Sequence, residues 1–298
     1  MDKMNIALVA NPLSGNYNKD TVDNFIFLLG KSGFIVSQYM LEQNQKIEEI
    51  ITKLNPELTP IIVLMAGDGT INNALNALVN RNDYEKFSVA VAPMGTANVL
   101  SLELGVGTTE RALKAMENGK IKKLHMGKII KNSETGEEED WYFMLMVSAG
   151  FDSIAVNHTN EKLKKKIGGL AYLYEFFKIL INRNIRELET TVDGVVHKNI
   201  LTCVSNGKYY GVEIPITGSK IEENNFDVVI IKKISIWSAL KYMFTKRGND
   251  NIIKLTGKNY VAINAIAEDY PIQIDGDYHC NLPVRVESSD KYINVYYL

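Results

Sequence analysis

Residues 59–75 read TPIIVLMAGDGTINNAL, and this stretch decides the fold class of the N-terminal half of the chain. The apolar run 61–66 is typical of a buried parallel strand, and the spacing of Ile71 and Leu75 predicts a helix directly after it. The two glycines between strand and helix allow a sharp turn and the close approach of a ligand. Because the N–H groups that open a helix bind anions, the stretch predicts a phosphate site of the kind that holds a nucleotide.

Two further strands end in small polar loops of the same kind. The apolar run 5–10 leads into Asn11-Pro12-Leu13-Ser14-Gly15, and the run 89–92 leads into Pro93-Met94-Gly95-Thr96-Ala97-Asn98. Because ligands bind in open α/β sheets at the carboxyl ends of the strands, the three loops are expected to converge on one site. The Asp-Gly pair alone also fits an ordinary tight turn, and the two companion loops are what favours a nucleotide.

Two other phosphate-binding motifs do not fit this chain. The dinucleotide fingerprint needs a third glycine at position 72, where the chain has Asn72. Gly30-Lys31-Ser32 resembles the end of a P-loop, but Phe25 stands where that motif needs its upstream glycine. We therefore interpret Gly30 as the glycine that ends a helix.

Composition places the chain among ordinary globular proteins and narrows its partners. It has 298 residues, 46% of them hydrophobic and 23% charged, and a net charge of −2. Without a basic excess, we expect no nucleic-acid partner. Cys203, Cys280 and the four histidines show no metal-ligand spacing, which predicts reduced thiols in a cytoplasmic protein. The first residues show no cleavable signal, and no apolar run approaches the roughly 18 residues of a membrane span.

Residues 1–123 alternate strand and helix patterns, which predicts a parallel sheet covered on both faces. We expect strands at 4–10, 34–39, 60–66 and 88–92, and helices at 18–32, 43–54, 70–80, 96–103 and 108–117. The remainder predicts an antiparallel β structure that begins with a hairpin of 123–131 and 141–148 around an exposed loop. Two helices, 161–181 and 235–246, and seven further strands follow: 187–195, 198–206, 226–232, 252–256, 259–266, 271–274 and 283–288.

Taken together, the three loops resemble the nucleotide-binding signature of the diacylglycerol kinase catalytic family, which includes bacterial lipid kinases and the sphingosine and ceramide kinases. Four later segments resemble motifs of that family in the same order: 148–153 (SAGFDS), 166–172 (KIGGLAY), 206–211 (NGKYYG) and 273–277 (QIDGD). The resemblance covers nearly the whole chain.

The resemblance implies two domains. The first, 1–123, is a three-layer α/β/α domain with a parallel sheet, similar to NAD kinases and phosphofructokinases, and a final strand at 291–298 packs back on it. The second, 124–290, is an antiparallel β-sandwich that receives the lipid. The resemblance further implies an ATP- and Mg²⁺-dependent kinase of a lipid hydroxyl, with diacylglycerol as the default substrate. Such a protein would be cytoplasmic and would contact the membrane surface transiently, as a peripheral protein.

Phosphoryl transfer needs positioned phosphates, a metal ion, and a group that orients the attacking hydroxyl. The backbone N–H groups of the loop glycines suit phosphate, and short loop side chains suit phosphate or ribose. The glycines are Gly15, Gly67, Gly69 and Gly95, and the side chains are those of Asn11, Ser14, Thr70, Thr96 and Asn98. Thr70 and Thr96 fit the capping of their helices equally well. Asp68 is the first candidate for a carboxylate beside Mg²⁺.

The remaining roles are implied by the resemblance. Asp275 is the candidate base for the lipid hydroxyl, although Asp275-Gly276 also fits a plain hairpin turn. Asp277 supports the metal ion, where most relatives carry Glu, and Asp152 contacts the polar head of the lipid. Because Asp275 belongs to the second domain, the active site is expected in a cleft between the domains.

Several positions depart from the family pattern. Ala66 replaces a glycine, Asn73 replaces an acid close to the metal, and residues 223–227 replace the acidic segment of a second, structural Mg²⁺ site, which makes that site doubtful. Two alternatives to a lipid kinase stay open. One is a catalytically impaired regulator that binds nucleotide or lipid. The other is a soluble-substrate kinase of the NAD kinase type, although the chain lacks the Gly-Ser-Thr-Ala-Tyr segment of those enzymes.

Two predicted helices carry features with two interpretations each. The basic run 162–166 is either a solvated helix face or a site of attraction for phosphates and anionic headgroups. The apolar face of 237–244 either packs in the core or docks on a membrane. The oligomeric state stays open as well, and a homo-oligomer is compatible with the sequence.

Overall fold

The structure is a computed structural model that describes residues 4–132, 137–150, 152–154, 186–210, 214–215, 217–233, 251–266 and 270–298. It divides the chain into two compact units, Met1–Leu124 with Lys291–Leu298, and His125–Asp290. The helices predicted at 161–181 and 235–246, with the basic run and the apolar face that they carry, lie outside the described residues. Within those residues, no helix is both long and apolar enough to cross a membrane.

The first unit alternates strands and helices along most of its length. Its strands are β1 (Met4–Ala10), β2 (Phe34–Met40), β3 (Ile61–Ala66), β4 (Ser88–Pro93), β5 (Ile121–His125) and the C-terminal strand β20 (Tyr292–Tyr296). Its helices are α1 (Lys19–Lys31), α2 (Glu48–Ile51), α3 (Asp68–Val79), α4 (Val99–Glu103) and α5 (Thr109–Asn118), with a 3-10 turn at Tyr84–Lys86.

These strands form one sheet in the order β2-β1-β3-β4-β20-β5, and its pairs from β2 to β20 are parallel. All six residues of β3 are buried, because both faces of a parallel α/β sheet are covered. The strand order reverses beside β1, which has β2 on one side and β3 on the other. Open α/β sheets bind their ligands outside the carboxyl ends of the strands at such a switch point. The predicted α/β class is confirmed.

Two predictions about helices in this unit were wrong: the extent of the helix expected at 43–54 and the interpretation of Gly30 as the glycine that ends α1. The helix expected at 43–54 is reduced to α2, because Asn44 has a left-handed backbone conformation (φ 67°) that a helix does not accommodate. Gly30 lies inside α1, and the left-handed glycine that follows this helix is Gly33 (φ 91°).

The second unit is built from two six-stranded sheets and a separate two-stranded sheet of β12 and β13. The strands are β6 (Gly127–Asn132), β7 (Glu138–Phe143), β8 (Met146–Gly150), β9 (Leu188–Val192), β10 (Val195–Asn199), β11 (Leu201–Ser205), β12 (Tyr209–Tyr210), β13 (Ile214–Pro215), β14 (Phe226–Ile231), β15 (Ile252–Lys258), β16 (Tyr260–Ala265), β17 (Pro271–Ile274), β18 (Asp277–Asn281) and β19 (Val284–Glu287). One sheet has the order β10-β9-β16-β19-β6-β7 and the other the order β15-β14-β11-β8-β17-β18. Side chains of both sheets share one apolar core, which confirms the predicted sandwich.

The strand boundaries of this unit corrected three predictions. The run 141–148 is not one strand: β7 pairs with β6, while β8 joins the other sheet beside β11 and β17. Residues 138–140, expected in an exposed loop, belong to β7. Residues 187–206 form three strands, because Asp193 and Gly194 both have positive φ and make a hairpin turn between β9 and β10.

Candidate functional site

The three loops predicted to bind nucleotide come together at the carboxyl ends of β1, β3 and β4. We name them loop 1 (residues 11–18), loop 2 (67–70) and loop 3 (94–98). Backbone hydrogen bonds join them. The N–H of Asn11 donates to the carbonyl of Met65 (3.1 Å), that of Met94 to Ala66 (3.2 Å), and that of Asn16 to Met94 (3.0 Å). The expected convergence is therefore present in the structure of the first unit.

Side-chain amides of loop 1 tie it to the other two loops. Asn11 donates from Nδ2 to Thr70 Oγ1 (2.9 Å) and accepts the N–H of Leu13 on Oδ1 (2.9 Å). Asn16, which the sequence analysis did not single out, donates from Nδ2 to the carbonyl of Gly95 (2.7 Å). Asn11 was predicted to form part of the ligand wall, and in the structure both polar atoms of its amide are hydrogen-bonded to the protein.

Close backbone packing explains the glycines of loops 2 and 3. A Cβ atom on Gly95 would lie 2.5 Å from the Cα of Gly67, and one on Gly67 would lie 3.2 Å from the Cα of Gly95. A Cβ atom on Gly15 would lie 2.8 Å from Thr96 Oγ1. A Cβ atom on Gly67 or Gly95 would push loops 2 and 3 apart, whereas the Thr96 hydroxyl that faces Gly15 can rotate away. The close approach of the two backbones therefore requires glycine at positions 67 and 95, and we name this close-packed pair of loops the cradle.

Asp68 ties loop 2 to the helix after loop 3. Its Oδ2 accepts the N–H of Val99 (3.0 Å) and its Oδ1 accepts the N–H of Leu100 (3.2 Å), at the start of α4. A carboxylate satisfies the otherwise unbonded N–H groups of a helix start in this way. The residue predicted to stand beside Mg²⁺ therefore has a structural partner on each oxygen, and its role toward a metal stays a prediction.

The side chain of Asn98 closes loop 3 on itself. Its Oδ1 accepts the N–H of Gly95 (2.7 Å) and its Nδ2 donates to the carbonyl of Gly95 (2.7 Å). In this conformation the Gly95 N–H is engaged by the protein, contrary to the expectation that it faces phosphate. Thr70 and Thr96 do not cap their helices either, because the N-cap positions are Gly67 for α3 and Asn98 for α4.

One buried polar atom in this cluster has no protein partner. Ser14 Oγ is buried and makes no hydrogen bond with any described residue. Nearby, the first N–H groups of α3 receive no side-chain cap. Buried polar atoms are nearly always hydrogen-bonded in native proteins, so Ser14 Oγ fits the contact surface of a polar ligand.

A pocket of about 370 Å³ opens beside loops 1 and 2. It is lined by Asn11, Leu41, Gln45, Lys46, Ile47, Glu48, Thr70 and Asn73. Segment 41–48, which overlaps the start of the helix expected at 43–54, supplies most of this lining. A mixed apolar and polar wall next to a glycine-containing strand-to-helix turn is typical of a small-molecule site.

In the second unit, the predicted base Asp275 is almost fully enclosed. The residue is 8% exposed. Its Oδ2 accepts the N–H of Met144 (2.9 Å), and its Oδ1 accepts those of Leu145 and Met146 (both 2.8 Å). Asp275 (φ 50°) and Gly276 (φ 94°) both have positive φ and connect β17 to β18. The hairpin-turn interpretation is therefore right, and the catalytic role stays a prediction.

Segment 144–146, which Asp275 holds, is also held by a second motif residue. Asn206 donates from Nδ2 to the carbonyls of Met144 (3.0 Å) and His125 (2.5 Å), and its own N–H donates to the carbonyl of Leu145 (2.7 Å). The motifs at 206–211 and 273–277 thus meet on one backbone segment. That shared contact was not visible in the linear sequence.

Asp152, predicted to contact the lipid head, is 6% exposed and has protein partners on both oxygens. Its Oδ2 is hydrogen-bonded to Ser148 Oγ, and its Oδ1 accepts the N–H of Ser153 (2.7 Å). Burial, and secondarily the Asp152 charge, raises the pKa of the Cys203 thiol well above its usual value. The same two causes raise the pKa of Tyr270. The burial of Asp152 favours a structural role over direct contact with a substrate.

Candidate metal ligands are few in the described part of the second unit. Asp277 is exposed at the start of β18. Asp227, at the end of the segment that departs from the family pattern, is buried and pairs with Lys254 (3.4 Å) while accepting the N–H of Gly218 (3.1 Å). No group of three or more His, Cys, Asp or Glu side chains suited to a metal occurs among the described residues.

Two family models match this chain and together span most of it. The diacylglycerol kinase catalytic domain matches residues 5–129. The YegS C-terminal NAD kinase beta sandwich-like domain matches residues 145–297. Among curated proteins, a diacylglycerol kinase of Staphylococcus aureus (strain bovine RF122 / ET3-1) is 23% identical, covering 97% of this chain and 91% of its own. One of Staphylococcus saprophyticus is 24% identical, covering 97% and 94%.

Solved structures share the fold at low identity. A crystal structure of a diacylglycerol kinase from Bacillus anthracis str. Sterne has a TM-score of 0.72 at 18% identity, covering 100% of this chain and 98% of that one. Yeast NADH kinase complexed with NADH has a TM-score of 0.54 at 11% identity, covering 100% and 84%. At these identities the similarity is evidence for the fold alone.

Proposed function

The chain belongs to the diacylglycerol kinase catalytic domain family, and on that premise we propose that it is an ATP-dependent lipid kinase. The reaction transfers the γ-phosphate of ATP to a lipid hydroxyl, and diacylglycerol is the first candidate acceptor. The observation that carries the proposal is the convergence of three glycine-containing loops beside an uncapped helix start, with the buried hydroxyl of Ser14 left without a protein partner.

The residues of loops 1 and 2 fit the phosphates of a nucleotide. The N–H groups that open α3 carry partial positive charge and no side-chain cap, so they suit an anion. Ser14 Oγ offers a hydroxyl from the opposite loop. The pocket lined by segment 41–48 lies beside them and has room for the remainder of the nucleotide. ATP supplies the transferred phosphoryl group, and these residues hold and orient it.

A magnesium ion would find few protein ligands here. Nucleotide-bound Mg²⁺ is usually held by one or two carboxylates and by the phosphates themselves. Asp68 is the predicted carboxylate in the first unit, and each of its oxygens already accepts one backbone N–H, which leaves its other lone pairs for a metal ion. When bound, Mg²⁺ would neutralise charge on the phosphates. Asp277 is the second candidate, from the β-sandwich.

The turn between β17 and β18 offers two carboxylates for the acceptor hydroxyl. Asp275 accepts three backbone N–H groups, so both of its oxygens are engaged by segment 144–146. Asp277, two residues on, is exposed. We therefore propose that Asp275 holds segment 144–146 and shapes the turn, and that the exposed Asp277 is better placed to receive or orient the hydroxyl proton.

A lipid acceptor has a consequence for location. We propose that the protein works as a peripheral protein from the cytoplasm, meeting its substrate at the membrane surface. The alternatives stay testable beside it. Asn73 lines the pocket where relatives carry an acid, which is the observation behind a nucleotide-binding regulator without turnover.

The deciding experiment is phosphate transfer from labelled ATP with Mg²⁺. Acceptors are diacylglycerol, ceramide and sphingosine in mixed micelles, and NAD in solution. Labelled lipid from the wild type supports the proposal and names the acceptor. Labelled NAD alone identifies a soluble-substrate kinase. ATP binding without any product identifies the regulator.

Three variants identify the base in the same assay: Asp275→Asn, Asp277→Asn and Asp193→Asn. Asp193→Asn is the control, because Asp193-Gly194 is an Asp-Gly turn in the same unit with positive φ at both residues, and its carboxylate is exposed. We expect Asp277→Asn to lower kcat by about 10²-fold or more, the typical contribution of a positioned acid–base group, with little change in the KM for ATP. Full activity of Asp277→Asn would return the role of base to Asp275.

A further inference from the structure

A continuous chain of buried hydrogen bonds runs from Asp152 to the turn that carries Asp275 and Asp277. Gln273 Oε1 accepts the N–H of Gly276 (2.7 Å), and Gln273 Nε2 donates to Ser148 Oγ (2.7 Å). Ser148 Oγ is in turn bonded to the carboxylate of Asp152. Gln273 is 2% exposed and Ser148 is fully buried.

The direction of every bond in this chain is determined by its chemistry. The amide oxygen of Gln273 must face the N–H of Gly276, so its NH₂ group faces Ser148. Ser148 Oγ therefore accepts from Gln273 and gives its single hydrogen to Asp152, which as a carboxylate can only accept. No member could reverse its role without leaving a neighbour unsatisfied.

Strand pairing explains why these residues meet. Ser148 of β8 is paired with Gln273 of β17 and with Cys203 of β11, and Gln273 is also paired with Tyr278 of β18. Paired residues of adjacent strands place their side chains on the same face of the sheet. The chain thus links β8 to the adjacent strand β17 and ends at Gly276, the second residue of the turn.

We propose that Gln273 is a positioning residue that sets the orientation of the turn at 275–277, with Ser148 and Asp152 holding its amide in place. The inference rests on the proposed function, because the turn leads into Asp277, the carboxylate assigned to the acceptor hydroxyl. With the Gly276 N–H bonded by Gln273 and the Asp275 side chain bonded by segment 144–146, the turn is held at both of its central residues. Small displacements of a reacting group are costly to turnover, and this double attachment prevents them.

Amide hydrogen exchange of Gly276, followed by NMR, tests the attachment without any assumption about activity. The variants are Gln273→Leu, which keeps the size and removes both hydrogen bonds, and Ser148→Ala, which removes the middle link. Thr202→Val is the matched control, because Thr202 is also fully buried and hydrogen-bonded on β11 but has no contact with the turn. We expect Gly276 exchange about tenfold faster in Gln273→Leu, a smaller increase in Ser148→Ala, and no increase in the control.

Kinetics of the same variants test the consequence. We expect kcat to fall about tenfold in Gln273→Leu while the KM for ATP stays unchanged, because the nucleotide loops belong to the other unit. Unchanged Gly276 exchange in Gln273→Leu, or in Ser148→Ala should the first not fold, would overturn the proposal. Faster exchange with wild-type kcat would also overturn it. A wild type without kinase activity would instead contradict the proposed function, and Gly276 exchange would then decide the attachment alone.

Discussion

The packing of Gly95 against Gly67 makes Gly95→Ala the sharpest test of the cradle formed by loops 2 and 3. The new Cβ would lie 2.5 Å from the Cα of Gly67, where ordinary contacts begin at 3.4 Å. Neither atom can rotate away, because the obstacle is backbone, so loops 2 and 3 must separate by close to an ångström. Overpacking of this kind costs about 1–3 kcal/mol. Weakening of the hydrogen bond between the Gly95 N–H and Asn98 in the variant adds about 1 kcal/mol. We expect a loss of about 2–4 kcal/mol in the free energy of unfolding.

Urea denaturation followed by circular dichroism measures this loss, and calorimetric titration measures ATP binding. Two other Gly→Ala changes are the controls. Gly15→Ala places its Cβ against the exposed Thr96 hydroxyl, which can rotate, so we expect a cost below about 1 kcal/mol. Gly30→Ala meets nothing within 4 Å inside α1 and should stabilise by about 0.5–1 kcal/mol. If Gly95→Ala unfolds like Gly15→Ala and binds ATP like the wild type, the close-packed cradle is wrong.

Three further predictions concern the second unit. Asp275→Asn should lower the free energy of unfolding in urea by about 2–4 kcal/mol, because an amide cannot accept all three N–H groups. The control Asp193→Asn should change it by no more than about 0.5 kcal/mol. Equal losses in the two variants would contradict the structural role of the Asp275 carboxylate. Lys254→Met should lower the free energy of unfolding by about 2 kcal/mol, because the buried Asp227 loses its cation, and the control Lys258→Met should lower it by less than about 1 kcal/mol. A chelator should not lower the melting temperature of the wild type. If it does, a structural metal ion is present after all. Burial beside Trp141 lowers the pKa of His279 below its ordinary 6.5, so below pH 6.5 the unfolded chain binds a proton more readily than the folded chain does. The free energy of unfolding should therefore fall as the pH drops from 7 to 5.5. If it falls just as steeply with pH in His279→Gln, His279 is not the cause.

The parts of the fold that followed from the sequence are those set by periodicity along the chain. The apolar runs before loops 1, 2 and 3 predicted buried parallel strands, and strand parallelism alone brought the loops together. The errors fall where a single backbone conformation overrides the pattern. Asn44 interrupts an otherwise helical segment by its positive φ, and segment 144–145 moves the chain from one sheet to the other within a continuous apolar run.

The hydrogen-bond partners of the site residues could not be read from spacing. Asp275 binds N–H groups 129 to 131 residues away, and Asp68 caps a helix 31 residues further on. Residue type indicates that a carboxylate needs donors, but not whether protein or ligand supplies them. Gln273 and Ser148 stood in segments that resemble family motifs, and their link became visible only when strand register placed them side by side.

The placement of the loop residues also separates the harmless departures from the family pattern from the one that can affect function. Ala66 is buried and meets loop 3 through its backbone carbonyl, so the identity of its side chain does not change that contact. Asn73 lies a turn into α3, is exposed, and lines the pocket beside Thr70. Of these two substitutions, only Asn73 faces the space assigned to the nucleotide. Because the proposed phosphate site uses backbone N–H groups and Ser14, we expect the missing acid at position 73 to weaken metal retention rather than ATP binding itself.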